Sequence, residues 1–145
     1  MDRLQFTLDE RLVTLETGRL APRAAGAVMA RCGDAAVLAA VATAPLEGAP
    51  LDHLPLMVDY RERASAAGRI PGNYLRREVR QGEGEILTSR LIDRALRPLL
   101  KAAEPQRIHV TVTVYSHDPT VDLDDALLRA VKEVNADLVV MASHL

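Results

Sequence analysis

Apolar and polar residues alternate at the start of the chain. Leu4, Phe6 and Leu8 are separated by polar neighbours, and Leu12-Val13-Thr14-Leu15 continues toward Gly18. A period of two places successive side chains on opposite faces of an extended chain, so both stretches predict short strands. Ala27-Val28-Met29-Ala30 and Ala36-Val37-Leu38-Ala39-Ala40-Val41 flank Cys32-Gly33-Asp34. This arrangement predicts a hairpin in which Gly33 supplies the positive φ of a tight turn, although the alanine content leaves helix open as an alternative. Residues 44–53 carry Pro45, Gly48 and Pro50 and read as a loop, followed by a short strand over 54–60 with Pro55 near its start.

Residues 61–85 have no apolar period and mix Gly68, Pro71, Gly72, Gly82 and Gly84 with six arginines. They read as a long basic loop, and a loop of this length between patterned elements points to function. The spacing predicts a helix over 86–100. Its apolar face is Ile86, Leu87, Leu91, Ile92, Ala95, Leu96 and Leu99, with Glu83 and Glu85 at its N-terminal end and Pro98 disrupting its last turn. Arg90, Arg94 and Arg97 fall at i, i+4 and i+7 on the polar face. Residues 108–115 (IHVTVTVY) predict a strand, 123–134 a helix and 136–142 a buried strand. The order implies an α+β fold, layered in the α/β manner, with a mixed sheet packed on helices.

Composition changes this picture in one respect. The net charge of -2 argues against a nucleic-acid binder unless positive charge is concentrated, and here it is. Residues 61–101 hold ten of the 18 Lys+Arg against five acids, a local charge of about +5, and leave the flanks at about -7. Only Lys101 and Lys132 are lysines, and a planar guanidinium suits bidentate phosphate contacts. Cys32 is alone, which excludes an intrachain disulfide and a cysteine metal site. The N-terminus lacks the basic start and apolar run of a secretory signal, and no stretch reaches the ~20 apolar residues of a membrane span, so a cytoplasmic location is expected.

A nucleophile elbow, a P-loop and a dinucleotide fingerprint are all missing from the sequence. His53, His109, His117 and His144 are scattered without metal spacing, so no metal is assigned to them. Asp118, Asp122, Asp124 and Asp125 could bind a divalent ion or cap the 123–134 helix, with capping the better fit.

The motifs RIPG at 69–72, RRE at 76–78, EGE at 83–85 and SRLIDR at 89–94 occur in this order. Together they resemble the first ribonuclease PH-like core of the polynucleotide phosphorylase family. Leu15-Glu16-Thr17-Gly18, the Gly33-Asp34 hairpin and VTVYSHDP at 112–119 extend the resemblance over roughly the first 120 residues. It implies a partial ribonuclease PH-like βαβ core over 1–122 that belongs to a phosphate-dependent 3′-to-5′ exoribonuclease, a polyribonucleotide nucleotidyltransferase acting in RNA degradation.

In that family two such cores per chain assemble three-fold, as a homotrimeric ring, around a channel for single-stranded RNA. Phosphorolysis belongs to the second core, which this chain does not reach, so no catalytic residue carries over and the isolated chain is expected to be inactive. Mg²⁺ or Mn²⁺ and inorganic phosphate are implied for the full-length family and no cofactor for this chain. The channel-mouth motif, an aromatic pair followed by two arginines, matches Tyr74-Leu75-Arg76-Arg77. The resemblance therefore implies that Arg76 and Arg77 engage RNA phosphates and that Tyr74 stacks on a base. Arg69 and Arg80 of the same loop are expected to join them, and Arg90, Arg94 and Arg97 form a further candidate phosphate face.

The chain departs from the family at Leu75, where the second aromatic is lost, at Val79, where glycine is usual, and at Ala95, where proline is usual. Residues 123–145 resemble instead the closing helix and strand of a universal stress protein, which would make them a tail of separate origin. Three functions compete on these grounds: a piece of a phosphorolytic enzyme, a non-catalytic RNA-binding and assembly module, and an adenine-nucleotide binder carried by the tail.

Overall fold

A computed structural model of the chain describes residues 2–8, 10–46, 53–70, 80–100 and 106–121. Strands β1 (Arg3–Leu8), β2 (Arg11–Thr17), β3 (Gly26–Cys32), β4 (Ala35–Pro45) and β5 (Leu56–Glu62) come first. A short 3-10 helix (Ala64–Ala67), helix α1 (Glu83–Leu96) and strand β6 (Gln106–Ser116) follow. The strands form one mixed sheet in the order β1-β2-β3-β4-β6-β5. The first four strands run as an antiparallel meander, β6 inserts antiparallel to β4, and β5 lies parallel to β6 at the edge. Parallel neighbours cannot be joined by a tight turn, and the connection from β5 to β6 runs through α1, giving a βαβ unit.

The core lies on one face of this sheet. Val110, Val112 and Val114 of β6 alternate inward, opposite Val41, Ala39 and Val37 of β4 and beside Val58, Tyr60 and Glu62 of β5. Tyr60 and Val114 are its most deeply buried side chains. β-branched valines suit this role, because a stiff χ1 costs little entropy on a pleated surface. The alanine-rich segments at 27–30 and 36–41 are strands, since each is flanked by a partner that completes its hydrogen-bond ladder.

Several predicted boundaries move, and β4 runs on through Pro45, two residues into the expected 44–53 loop, because Ala44 and Pro45 pair with Arg107 and Gln106. The stretch 61–85 is not one continuous loop: its first two residues extend β5, Ala64–Ala67 form the 3-10 helix, and α1 begins at Glu83. Helix α1 starts earlier than expected because Glu85 reaches back, its Oε2 accepting the Gly82 N–H at 2.7 Å. It ends at Leu96, just before Pro98.

The β3–β4 turn requires glycine on two counts. Gly33 sits at φ +58, and a Cβ there would meet Asp118 Oδ2 at 2.7 Å. Asp118 clasps two turns together. Its Oδ2 accepts the Asp34 N–H at 3.2 Å, while Oδ1 accepts the Thr120 N–H at 2.9 Å and hydroxyl at 2.7 Å. Asp122, Asp124, Asp125 and the expected 123–145 tail, with its helix and strand, lie outside the described residues.

The hydrogen bonds from Thr120, then that from Asp34, hold the Asp118 carboxyl below its ordinary 3.8. A carboxyl depressed on folding contributes stability above the unfolded value and loses it as pH falls through the folded one. The melting temperature of Asp118→Asn should accordingly fall below that of the parent at neutral pH. The gap should close as pH is lowered beneath 3.8; a pH-independent gap would assign the clasp a role unrelated to ionisation.

Candidate nucleic-acid interface

The position of α1 follows from an unsolved problem at the edge of the sheet. β5 pairs with β6 on one side only, so on the other side its backbone N–H and C=O groups lack a strand partner. Side chains from 81–89 take that role. Ser89 Oγ accepts the Tyr60 N–H at 3.1 Å and donates to the Glu85 carbonyl at 2.8 Å. Glu85 Oε1 accepts the Glu62 N–H at 2.8 Å. Gln81 Nε2 donates to Tyr60 O at 3.3 Å and to Asp59 Oδ1 at 2.6 Å.

This polar docking changes which face of α1 turns inward. Thr88 (5% exposed), Ser89 and Ile92 are buried, whereas Leu87 (64%), Leu91 and Ile86 are exposed. The expected apolar face therefore holds only in part, through Ile92 and the partly buried Leu96 that pack on the core. Leu87 and Leu91 yield to the residues that satisfy the strand edge.

Arg80 lies exposed directly before Gln81, so the Gln81 contacts hold the backbone next to it against the edge of β5. Arg90 and Arg94 are exposed on α1, four residues and thus about 6 Å apart along the axis. Arg69 is exposed just after the 3-10 helix, its N–H donating to Ala64 O at 2.9 Å. Arg97 belongs to the fold more than to this set: Nη2 and Nε contact Asp93 at 2.8 and 3.2 Å, and Nη1 donates to Leu54 O at 3.0 Å. Tyr74, Arg76 and Arg77 lie outside the described residues.

Asp59, Gln81, Glu85 and Ser89 were not predicted as positioning residues. Asp59 and Arg61 stand two apart on a strand, the spacing that puts side chains on one face, which is a readable signal. Ser89 carries no such signal, because only the topology makes β5 an edge. Among the described residues no group of three His, Cys, Asp or Glu side chains is placed to hold a metal ion. No described helix is long and apolar enough to cross a membrane.

Residues 9–133 match the 3′ exoribonuclease family, domain 1. The chain is 51% identical over 114 residues to a polyribonucleotide nucleotidyltransferase of Methylocella silvestris, covering 79% of this chain and 16% of that protein. It is 53% identical over 116 residues to one from Rhodopseudomonas palustris, with the same two coverages. The chain thus spans about a sixth of the length of these relatives. Among solved structures, the Archaeoglobus fulgidus exosome with RNA bound to the active site superposes with a TM-score of 0.58 at 17% identity, covering 80% of this chain and 47% of that one. An archaeal exosome core gives 0.53 at 18% identity, covering 80% and 44%.

Replacing Ser89 by alanine removes the acceptor of a buried Tyr60 N–H, a loss of about 1–3 kcal/mol. Chemical denaturation of Ser89→Ala should show a destabilisation in that range; an unchanged midpoint would mean that the edge clasp does not hold α1.

Proposed function

The chain belongs to the 3′ exoribonuclease family, domain 1, and from that premise we propose that it is the RNA-holding part of a phosphate-dependent 3′-to-5′ exoribonuclease. The observation that carries this reading is the family match over 9–133, which spans every candidate arginine. Arg69, Arg76, Arg77 and Arg80 hold the phosphates of a single strand, Tyr74 stacks on a base, and Arg90 and Arg94 extend the basic surface along α1. The chemistry of phosphorolysis, with its metal ion and inorganic phosphate, belongs to the longer protein, as does assembly into a three-fold ring. Cytoplasmic action follows from the same reading.

Each phosphate neutralised on a single strand contributes about -0.7 to the slope of log K against log salt. Arg76→Ala/Arg77→Ala should weaken binding to a single-stranded oligoribonucleotide and flatten that slope by roughly one unit. Tyr74→Ala should weaken binding with the slope kept, because stacking releases few ions. A double variant that binds like the parent would refute the assignment and leave these arginines as surface charges, which contribute little.

The chain alone, incubated with labelled RNA, Mg²⁺ and phosphate, should release no nucleoside diphosphate. Release by rigorously purified protein would contradict its non-catalytic role.

A further inference from the structure

The sheet of described strands has two borders, β5 and β1, and side chains close only the first. At β1 the Thr17 N–H donates to Asp2 O at 2.9 Å, which sets the parity of the hairpin. Bonded residues alternate in an antiparallel pair, so Asp2, Leu4 and Phe6 turn their backbone groups toward β2. Arg3, Gln5 and Thr7 turn theirs outward, and none of the described residues pairs with them there. We propose that this border is a self-association surface, on which β1 of a second copy of the chain pairs antiparallel about a two-fold axis at Gln5.

The side chains of β1 leave the border open. Arg3 Nε stands 3.8 Å from Glu16 Oε1, and Gln5 Nε2 donates to Thr14 Oγ1 at 3.1 Å, so both lean back across β2. The strand has neither a proline nor a bulge, two devices that blunt a sheet edge. Leu4 is 50% exposed although its cross-strand neighbour Leu15 is buried, and Phe6, beside the buried Val13, is only partly covered. The core face therefore reaches the border with apolar surface still uncovered.

The pattern of β1 is complementary to itself. With Gln5 on the axis, Arg3 of one copy lies opposite Thr7 of the other, and Leu4 lies opposite Phe6. Arg3, Gln5 and Thr7 then form the hydrogen-bonded pairs of the new ladder, so each of their outward N–H and C=O groups has a partner. Leu4 and Phe6 form the closer pairs between them, on the core face, and the apolar layer continues across the junction. Arg3, the one charged residue of the strand, faces a threonine and not its own copy.

The partner is one further copy and not an open series, because Ser89, Glu85 and Gln81 occupy the other border. A surface that pairs only with itself closes at two. Since β1 and β5 lie at opposite borders, the contact leaves α1 and its arginines at the outer ends of the joined sheet. The inference does not depend on the function proposed above.

One strand pair is small beside the about 1,600 Å² of a standard interface, so the association should depend on concentration. Sedimentation equilibrium of the full chain should show monomer giving way to dimer as concentration rises. Gln5→Pro removes the outward N–H on the axis without breaking a bond to β2, and should leave the chain monomeric. Gln5→Lys and Gln5→Glu each set like charges face to face on the axis, and each alone should dimerise about fivefold more weakly than the parent. An equimolar mixture of these two variants should recover the parent's affinity or exceed it, which a loss caused by misfolding could not do.

A parent that stays monomeric up to millimolar concentration would overturn the proposal, even if it captures an extended peptide at β1. A dimer indifferent to Gln5→Pro would overturn it as well. Charge variants that associate no better mixed than alone would rule out the two-fold pairing at Gln5.

Discussion

The unpaired edge of β5 is the constraint on which the rest of this structure depends. A parallel strand at the border of a sheet leaves half its backbone groups without a ladder, and a buried N–H without an acceptor costs more than a made bond contributes. The chain resolves this with side chains, Ser89 and Glu85 accepting and Gln81 donating, all from within nine residues. The helix that carries them is thereby docked by polar contacts first, with Ile92 and Leu96 completing the apolar seal. Arg97 ties the far end of α1 to Leu54 O, so the helix is held at both ends of β5.

Function inherits this geometry. The same contacts that cover the edge fix Gln81, and with it the position of the preceding Arg80 near Arg61 at the end of β5. A protein of net charge -2 can present a local positive field only if its basic residues are confined, and the stretch from β5 through α1 confines them. The sheet behind supplies rigidity, with valines of β4 and β6 forming the centre of the core.

Much of the fold was legible in the chain. The period-two patterns located β1, β2 and β6, the hairpin around Gly33 placed β3 and β4 with helix left open by their alanines, and the helix was placed to within a few positions of its ends. The quoted motifs from RIPG to SRLIDR pointed to the family that the comparison finds. What was not legible depended on topology. The apolar stripe of Leu87 and Leu91 predicted an inward face, but periodicity cannot register that an edge strand will demand Ser89 instead. The clasp made by Asp118 was not legible, because its partner in the Gly33-Asp34 turn lies 84 residues away. The 3-10 helix within 61–85 was missed because four small residues carry no apolar period.

The proposed function places RNA on the arginine-rich stretch leading into α1. Hydrogen–deuterium exchange of the full chain, with and without a single-stranded oligoribonucleotide, tests this most directly. The account predicts that RNA slows exchange in peptides covering 69–81 and the first turn of α1, while β1 and β2 exchange as before. Unchanged exchange over 69–81 at saturating RNA, or protection confined to β1–β2 or to the residues after β6, would contradict it.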